Sequence, residues 1–113
     1  MVEFPNIEHY KGDTFRAIPM QIKFNGIAID ITNYIITMQL KKEIGGVPYL
    51  TLSSIANAGI TIVNGIIGIF EINEQIIDIK SGTYIYDIEF NDNNIIDTYI
   101  RGSFNIIGDV TNG

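Results

Sequence analysis

The sequence predicts an all-β protein, an antiparallel immunoglobulin-like sandwich of about seven to nine short strands in one domain over residues 1–113. Isoleucine dominates the apolar residues, and a β-branched side chain loses less χ1 freedom on a pleated sheet than in a helix. Two Asn-Gly dipeptides stand between segments whose apolar and polar residues alternate, the local signature of a hairpin. Turn signals recur about every dozen residues, with no helical pattern long enough for crossover connections.

The first hairpin centres on Asn25-Gly26 in "TFRAIPMQIKFNGIAIDI". Both residues tolerate the positive φ of a type I′ turn. That turn pairs Phe24 with Ile27, Ile22 with Ile29 and Met20 with Ile31 on a core face, leaving Gln21, Lys23, Ala28 and Asp30 outside. "YIITMQLKK" then predicts a central strand over 34–42, with Ile36, Met38 and Leu40 inward. "VPYLTL" resumes as a short strand, and Pro48, which has no N–H for the ladder, places it at an edge or at a strand start. A loop follows through Ser53–Ala58.

Asn64-Gly65 predicts the second two-residue hairpin, with Ile62 opposite Ile67 and Ile60 opposite Ile69 on the core face. The opposite face then carries Thr61, Val63, Ile66, Gly68 and Phe70, an apolar surface that needs a cover. "EINEQIIDIKSG" fits a single helical turn or a strand end followed by a turn. "TYIYDIEF" and "IDTYIRG" read as strands around a loop at 91–95, with Tyr86, Ile88 and Phe90 inward and Asp87, Glu89, Asp97, Tyr99 and Arg101 outward. "SFNII" is the last strand.

A chain of 113 residues buries roughly 65% of its unfolded surface, enough for one core. Without cysteine its stability comes from packing rather than disulfides or thiolate-bound metal. A net charge of -6 opposes nonspecific binding to nucleic acid or anionic membrane. The sequence shows no leader pattern and no apolar run of membrane-spanning length, so a soluble chain made in the cytoplasm is expected.

Enzyme chemistry finds little material. His9, the only histidine, has no partner placed beside it by the sequence and reads as a surface residue. Ser53 and Ser54 lie in no nucleophile elbow, and Gly45-Gly46 precede a strand rather than a helix. Glu89, Asp92 and Asp97 gather around one loop without the ligand spacing of a calcium loop, so no metal or other cofactor is expected. Tyr49 and Tyr99 are the candidate surface rings for a carbohydrate. Gly82 and Tyr84 sit where an immunoglobulin-like sandwich places its tyrosine corner, which makes Asp87 an outward surface carboxylate. The candidate protein interface is Val63, Ile66 and Phe70, with Phe4 as a second anchor.

"YKGDTF" at 10–15, "IPMQIKFNGIAIDITNYIITMQLKK" at 18–42, "SGTYIYDIEF" at 81–90 and "IRGSFNIIGDVT" at 100–111 together resemble small β-sandwich structural proteins of tailed bacteriophages and prophages. The likeness is to the N-terminal domains of upper-baseplate proteins and related virion accessory proteins. It implies a non-enzymatic virion component, assembled in the host bacterial cytoplasm, whose partners are other virion proteins or further copies of itself. Relatives continue into a fibre or receptor-binding region after the segment matching "DVT", whereas this sequence ends at Gly113, which suggests a stand-alone adaptor or capsid decoration. The alternative from another class is a carbohydrate- or receptor-binding module.

Overall fold

The computed structural model describes the backbone of residues 2–3, 6–92 and 95–108, and the side chains of 6–92 and 100–108. The fold is all-β, built on two packed sheets. The larger sheet contains β7 (Ile35–Lys41), β8 (Pro48–Ser53), β12 (Gly82–Asp92) and β13 (Ile95–Ile107) in the order β13-β12-β7-β8, and β1 (Val2–Glu3) and β2 (Ile7–Tyr10) both pair along the free side of β13. The smaller sheet has the order β4-β10-β9, from β4 (Ile18–Gln21), β9 (Ile60–Asn64) and β10 (Ile69–Ile72). Two ribbons complete the described residues: β5 (Lys23–Phe24) with β6 (Ile27–Ala28), and β3 (Thr14–Phe15) with β11 (Gln75–Ile76).

Lettered as in an immunoglobulin domain, β4, β10 and β9 are strands B, E and D. Their partners β7, β12 and β13 are C, F and G, with β8 as the added edge strand C′. The ladders within these two sheets are antiparallel except where β1 and β2 join β13 in parallel. Among the described residues the β segments number thirteen, above the expected seven to nine, because irregular edges break into two-residue pieces.

The core fills from both sheets. Ile36, Met38 and Leu40 from β7 and Tyr84, Tyr86, Ile88 and Phe90 from β12 meet Met20, Ile60, Phe70 and Ile72 from the smaller sheet. Phe70 and Phe90 bridge the two layers edge to face, 5.6 Å between ring centroids. As the sequence predicts, β7 is an interior strand, and Pro48 opens the edge strand β8. "EINEQIIDIKSG" resolves into the end of β10 followed by the short β11, because Gln75 and Ile76 pair with Phe15 and Thr14.

The two Asn-Gly pairs behave differently. Asn25 (φ 52°) and Gly26 (φ 77°) form the predicted two-residue turn, with Phe24 opposite Ile27 and Lys23 opposite Ala28. Phe24 and Ile27 are nevertheless 67% and 72% exposed, contrary to the inward assignment. The reason is where the ribbon lies. β4 leaves β10 after Gln21, so Met20 and Ile22 are buried while the hairpin projects past the end of the smaller sheet.

Asn64-Gly65 is not the second turn. Residues 65–67 form a 3₁₀ turn closed by Gly68 at φ 72°, so Phe70 stands opposite Ile62 and Ile72 opposite Ile60. The longer connection changes the phase of the returning strand and turns Phe70, 0% exposed, into the core. Only glycine fits at 68, since a Cβ there would stand 2.7 Å from the carbonyl oxygens of both Ile22 and Ile29.

β13 also departs from expectation, running unbroken through Gly102 where two strands were expected. The ring of Tyr86, its cross-strand neighbour, lies over the missing side chain. β12 runs to Asp92 and β13 begins at Ile95, where a loop over 91–95 was expected, and the register sets Phe90 opposite Asp97 after an irregularity at Ile88/Glu89.

Tyr84 donates its hydroxyl to the Lys80 carbonyl, 2.5 Å away and four residues upstream, the geometry of a tyrosine corner. Gly82 supports the turn into the strand at φ 152°, a backbone conformation that side-chain-bearing residues rarely adopt. Two residues beyond the corner tyrosine, antibody domains carry the second cysteine of their inter-sheet disulfide. Here that place holds Tyr86, fully buried, whose hydroxyl has no hydrogen-bond partner among the described residues.

Burial pushes the Tyr86 hydroxyl pKa above its ordinary value, and burial followed by the neighbouring Tyr49 phenol does the same for Tyr84. A raised folded-state value means stability that is full below the unfolded value of about 10 and is lost as pH rises past it. Tyr86→Phe is therefore expected to leave stability at pH 7 unchanged or slightly higher, since it removes an unsatisfied hydroxyl. It should also lessen the alkaline loss, as read from urea midpoints at neutral pH and above the tyrosine range.

Candidate functional site

The connections B–C, D–E and F–G of a sandwich lie at one end, the end on which variable domains display the B–C and F–G loops for binding. In this chain the hairpin β5–β6 belongs to B–C and residues 65–68 form D–E. Two backbone bonds and one side-chain bond lock them together. Ile22 N–H donates to Gly68 O (3.0 Å), Ile31 N–H to Gly65 O (2.8 Å), and the Gln21 side-chain Nε2 to Ile67 O (2.9 Å). Gly65 packs so closely on Thr32 that a Cβ would stand 2.7 Å from its Cα. Thr32 in turn donates its hydroxyl (2.6 Å) and its N–H (3.0 Å) to Asp30 Oδ1, which holds the Asp30 carboxyl below the usual carboxylate pKa.

This fixed frame displays apolar side chains to water. Ile66 is 71% exposed and Val63 60%, and Ile67 is partly exposed beside them. Phe24 and Ile27 follow from Ile22 and Ile29, whose carbonyls flank Gly68. Val63 is the residue skipped where the β9–β10 register shifts, so it sits at a bulge, the usual device for re-aiming a side chain at a sheet rim. Of the four expected interface residues, Val63 and Ile66 are exposed at this end, Phe70 is core, and Phe4 lies outside the described residues. Phe24 and Ile27 take the place of Phe70. Their signal was a turn with apolar residues directly on both sides of Asn25-Gly26. A second available signal is that residues 44 to 70 contain no charged side chain, although the chain as a whole is acidic.

The other singled-out residues have structural duties. His9 is buried rather than superficial because it alternates inward with Ile7 on β2. Its Nε2 lies 3.0 Å from the Asp13 carbonyl, and its ring meets Phe15 edge-on. Ser54 Oγ accepts from Ile36 N–H and Ser53 Oγ from Ile55 N–H, so both hydroxyls cap backbone. Gly45 and Gly46 complete a tight turn in which Gly46 N–H donates to Glu43 O.

Asp87 does point away from the core, as its alternation requires. It is only 7% exposed because β12 has a strand on either side, and Arg101 Nε on the neighbouring strand donates to its Oδ1 at 2.6 Å. Glu89 pairs in register with Thr37 and Thr98, so Asp97 is not directly opposite it. Among the described residues, no group of three or more acidic or histidine side chains is arranged to hold a metal ion. Tyr49 is half exposed, but its ring stands at 66° to that of Tyr84, with Lys42 over the Tyr84 ring, so these two form no flat platform. The side chain of Tyr99 lies outside those described.

No model of a known protein family matches this chain, and no curated protein matches it in sequence.

Proposed function

We propose that this chain is a non-enzymatic structural component of a bacteriophage virion, a capsid decoration or auxiliary protein or a tail or baseplate adaptor, that works through protein contacts at its B–C/D–E loop end. The observation that carries the proposal is the display of Phe24, Ile27, Val63 and Ile66 on a hydrogen-bonded frame. A rigid apolar surface has little conformational entropy left to lose on docking, and covering it removes apolar area from water at roughly 25 cal/mol per Å². The resemblance of the strand motifs to phage sandwich proteins supplies the setting.

The test is a double replacement, Val63→Glu with Ile66→Lys. Both positions are exposed, so the domain is expected to stay folded, within about 0.5 kcal/mol per site of the parent. Incorporation into particles should be lost. Normal incorporation of the folded variant would overturn the assignment of this end as the docking surface.

A further inference from the structure

Asn-Gly pairs stand at 25–26, 64–65 and 112–113, the last of them outside the described residues. The pair is chemically labile. Its glycine nitrogen can attack the asparagine side-chain carbonyl carbon, because glycine carries no side chain to hinder the approach. A C–N bond forms as a succinimide ring closes, and the bond to the side-chain nitrogen breaks. The proton lost from the glycine nitrogen is balanced by one that the departing amino group takes from water, and ammonia leaves. Water then opens the ring at either carbonyl, giving aspartate or, with the backbone rerouted through the side chain, isoaspartate. In a folded chain the step waits on local opening of the backbone at the pair, so the fold decides which pair reacts.

The two described pairs are held differently. Asn25 and Gly26 are both exposed, and a Cβ on Gly26 would meet nothing within 4 Å. Among the described residues, neither the Asn25 side chain nor the Gly26 N–H has a hydrogen-bond partner. The turn is closed by the short ribbon β5–β6 and by the bond from Ile29 N–H to Ile22 O, and a two-stranded ribbon by itself is marginally stable in water. Asn64, by contrast, is the ladder partner of Ile69. Gly65 accepts at its carbonyl from Ile31 N–H (2.8 Å) and Gly68 N–H (3.1 Å), and its Cα lies against Thr32. Opening there pulls two segments of the chain apart. We propose that Asn25–Gly26 is a site of spontaneous covalent modification in the folded protein, converting to aspartate and isoaspartate, and that the fold protects Asn64–Gly65 from the same reaction. The product places a negative charge between the exposed Phe24 and Ile27, and isoaspartate adds a backbone carbon that a two-residue turn does not accommodate. Conversion then weakens docking, a consequence that rests on reading this end as the contact surface.

Peptide mass mapping of the full chain, incubated folded in mildly alkaline buffer, tests the site directly. Cleavage after Lys23 and Lys41 releases the peptide with Asn25, and cleavage after Lys42 and Lys80 releases the one with Asn64. The first peptide should gain the mass difference between a hydroxyl and an amino group, with fragmentation placing it at Asn25 rather than Asn33. It should also accept methyl groups from an isoaspartyl methyltransferase, a readout given by the rerouted backbone. Conversion at Asn25 should be more than about tenfold faster than at Asn64 in the folded chain, and in urea the two rates should converge. Asn25→Gly keeps two residues suited to the turn and should abolish the reaction in the first peptide. An unchanged Asn25, or equal rates at the two pairs in the folded chain, overturns the proposal. The docking reading fails separately, because converted chain that enters particles as well as Asn25→Gly does would sink only the consequence for docking.

Discussion

Phe70→Ala lowers the stability of the isolated domain by about 3–5 kcal/mol, enough to bring its melting temperature down by more than about 10 °C. Phe70 is fully buried and carries the edge-to-face contact that joins β10 to Phe90 across the two sheets. Truncation would leave a cavity lined by side chains from both layers, which the paired backbones around it cannot close. Thermal and urea unfolding measure the effect. The contrast with Ile66→Lys is the informative part, because only four residues separate a core anchor from an exposed position on the same connection. A Phe70→Ala protein as stable as the parent would mean that the returning strand has the opposite phase and that Phe70 faces outward.

Gly102→Val is the second large effect. A Cβ at this position would stand 2.7 Å from the Tyr86 ring, which is itself fully buried between the sheets and cannot swing aside. Valine would otherwise suit a strand interior better than glycine does, so an intrinsic gain opposes the steric loss. Overpacking of this kind costs about 1–3 kcal/mol or more and should win, because the clash is with a ring rather than with the end of a flexible chain. Pairing Gly102→Val with Tyr86→Ala should recover part of the loss, and a double variant no better than additive would place the strain elsewhere.

The fold class was legible because alternation is a property of the chain itself. Ile36, Met38 and Leu40, and likewise Tyr84, Tyr86, Ile88 and Phe90, could be assigned to one face without knowing their partners. Loop length is a different kind of quantity. "NGIIG" offers two glycines able to take positive φ, and the choice of Gly68 over Asn64-Gly65 depends on its fit between Ile22 and Ile29, which come from a distant segment. That single choice decides whether Phe70 is core or surface. Phe24 and Ile27 were misplaced for a related reason: their pairing is local, but their burial depended on whether the smaller sheet extends far enough to cover them.

Asp87 and His9 show the same limit for polar residues. Alternation places Asp87 on the outer face correctly, yet its burial comes from neighbours on both sides and from Arg101, fourteen residues away. His9 occupies an inward position that an apolar residue would fill equally well, and the Asp13 carbonyl satisfies it. In the candidate site, Val63 and Ile66 were visible as an unusual apolar face, while the frame that holds them is made by contacts between segments.

Quantitative mass spectrometry of phage particles purified from cells that produce this chain asks most directly whether it is the virion protein proposed above. The expected result is the chain at a fixed ratio to a major capsid or tail protein, retained through density-gradient purification and lowered in step with the Val63→Glu, Ile66→Lys replacement. A chain abundant in the lysate but missing from purified particles would contradict it.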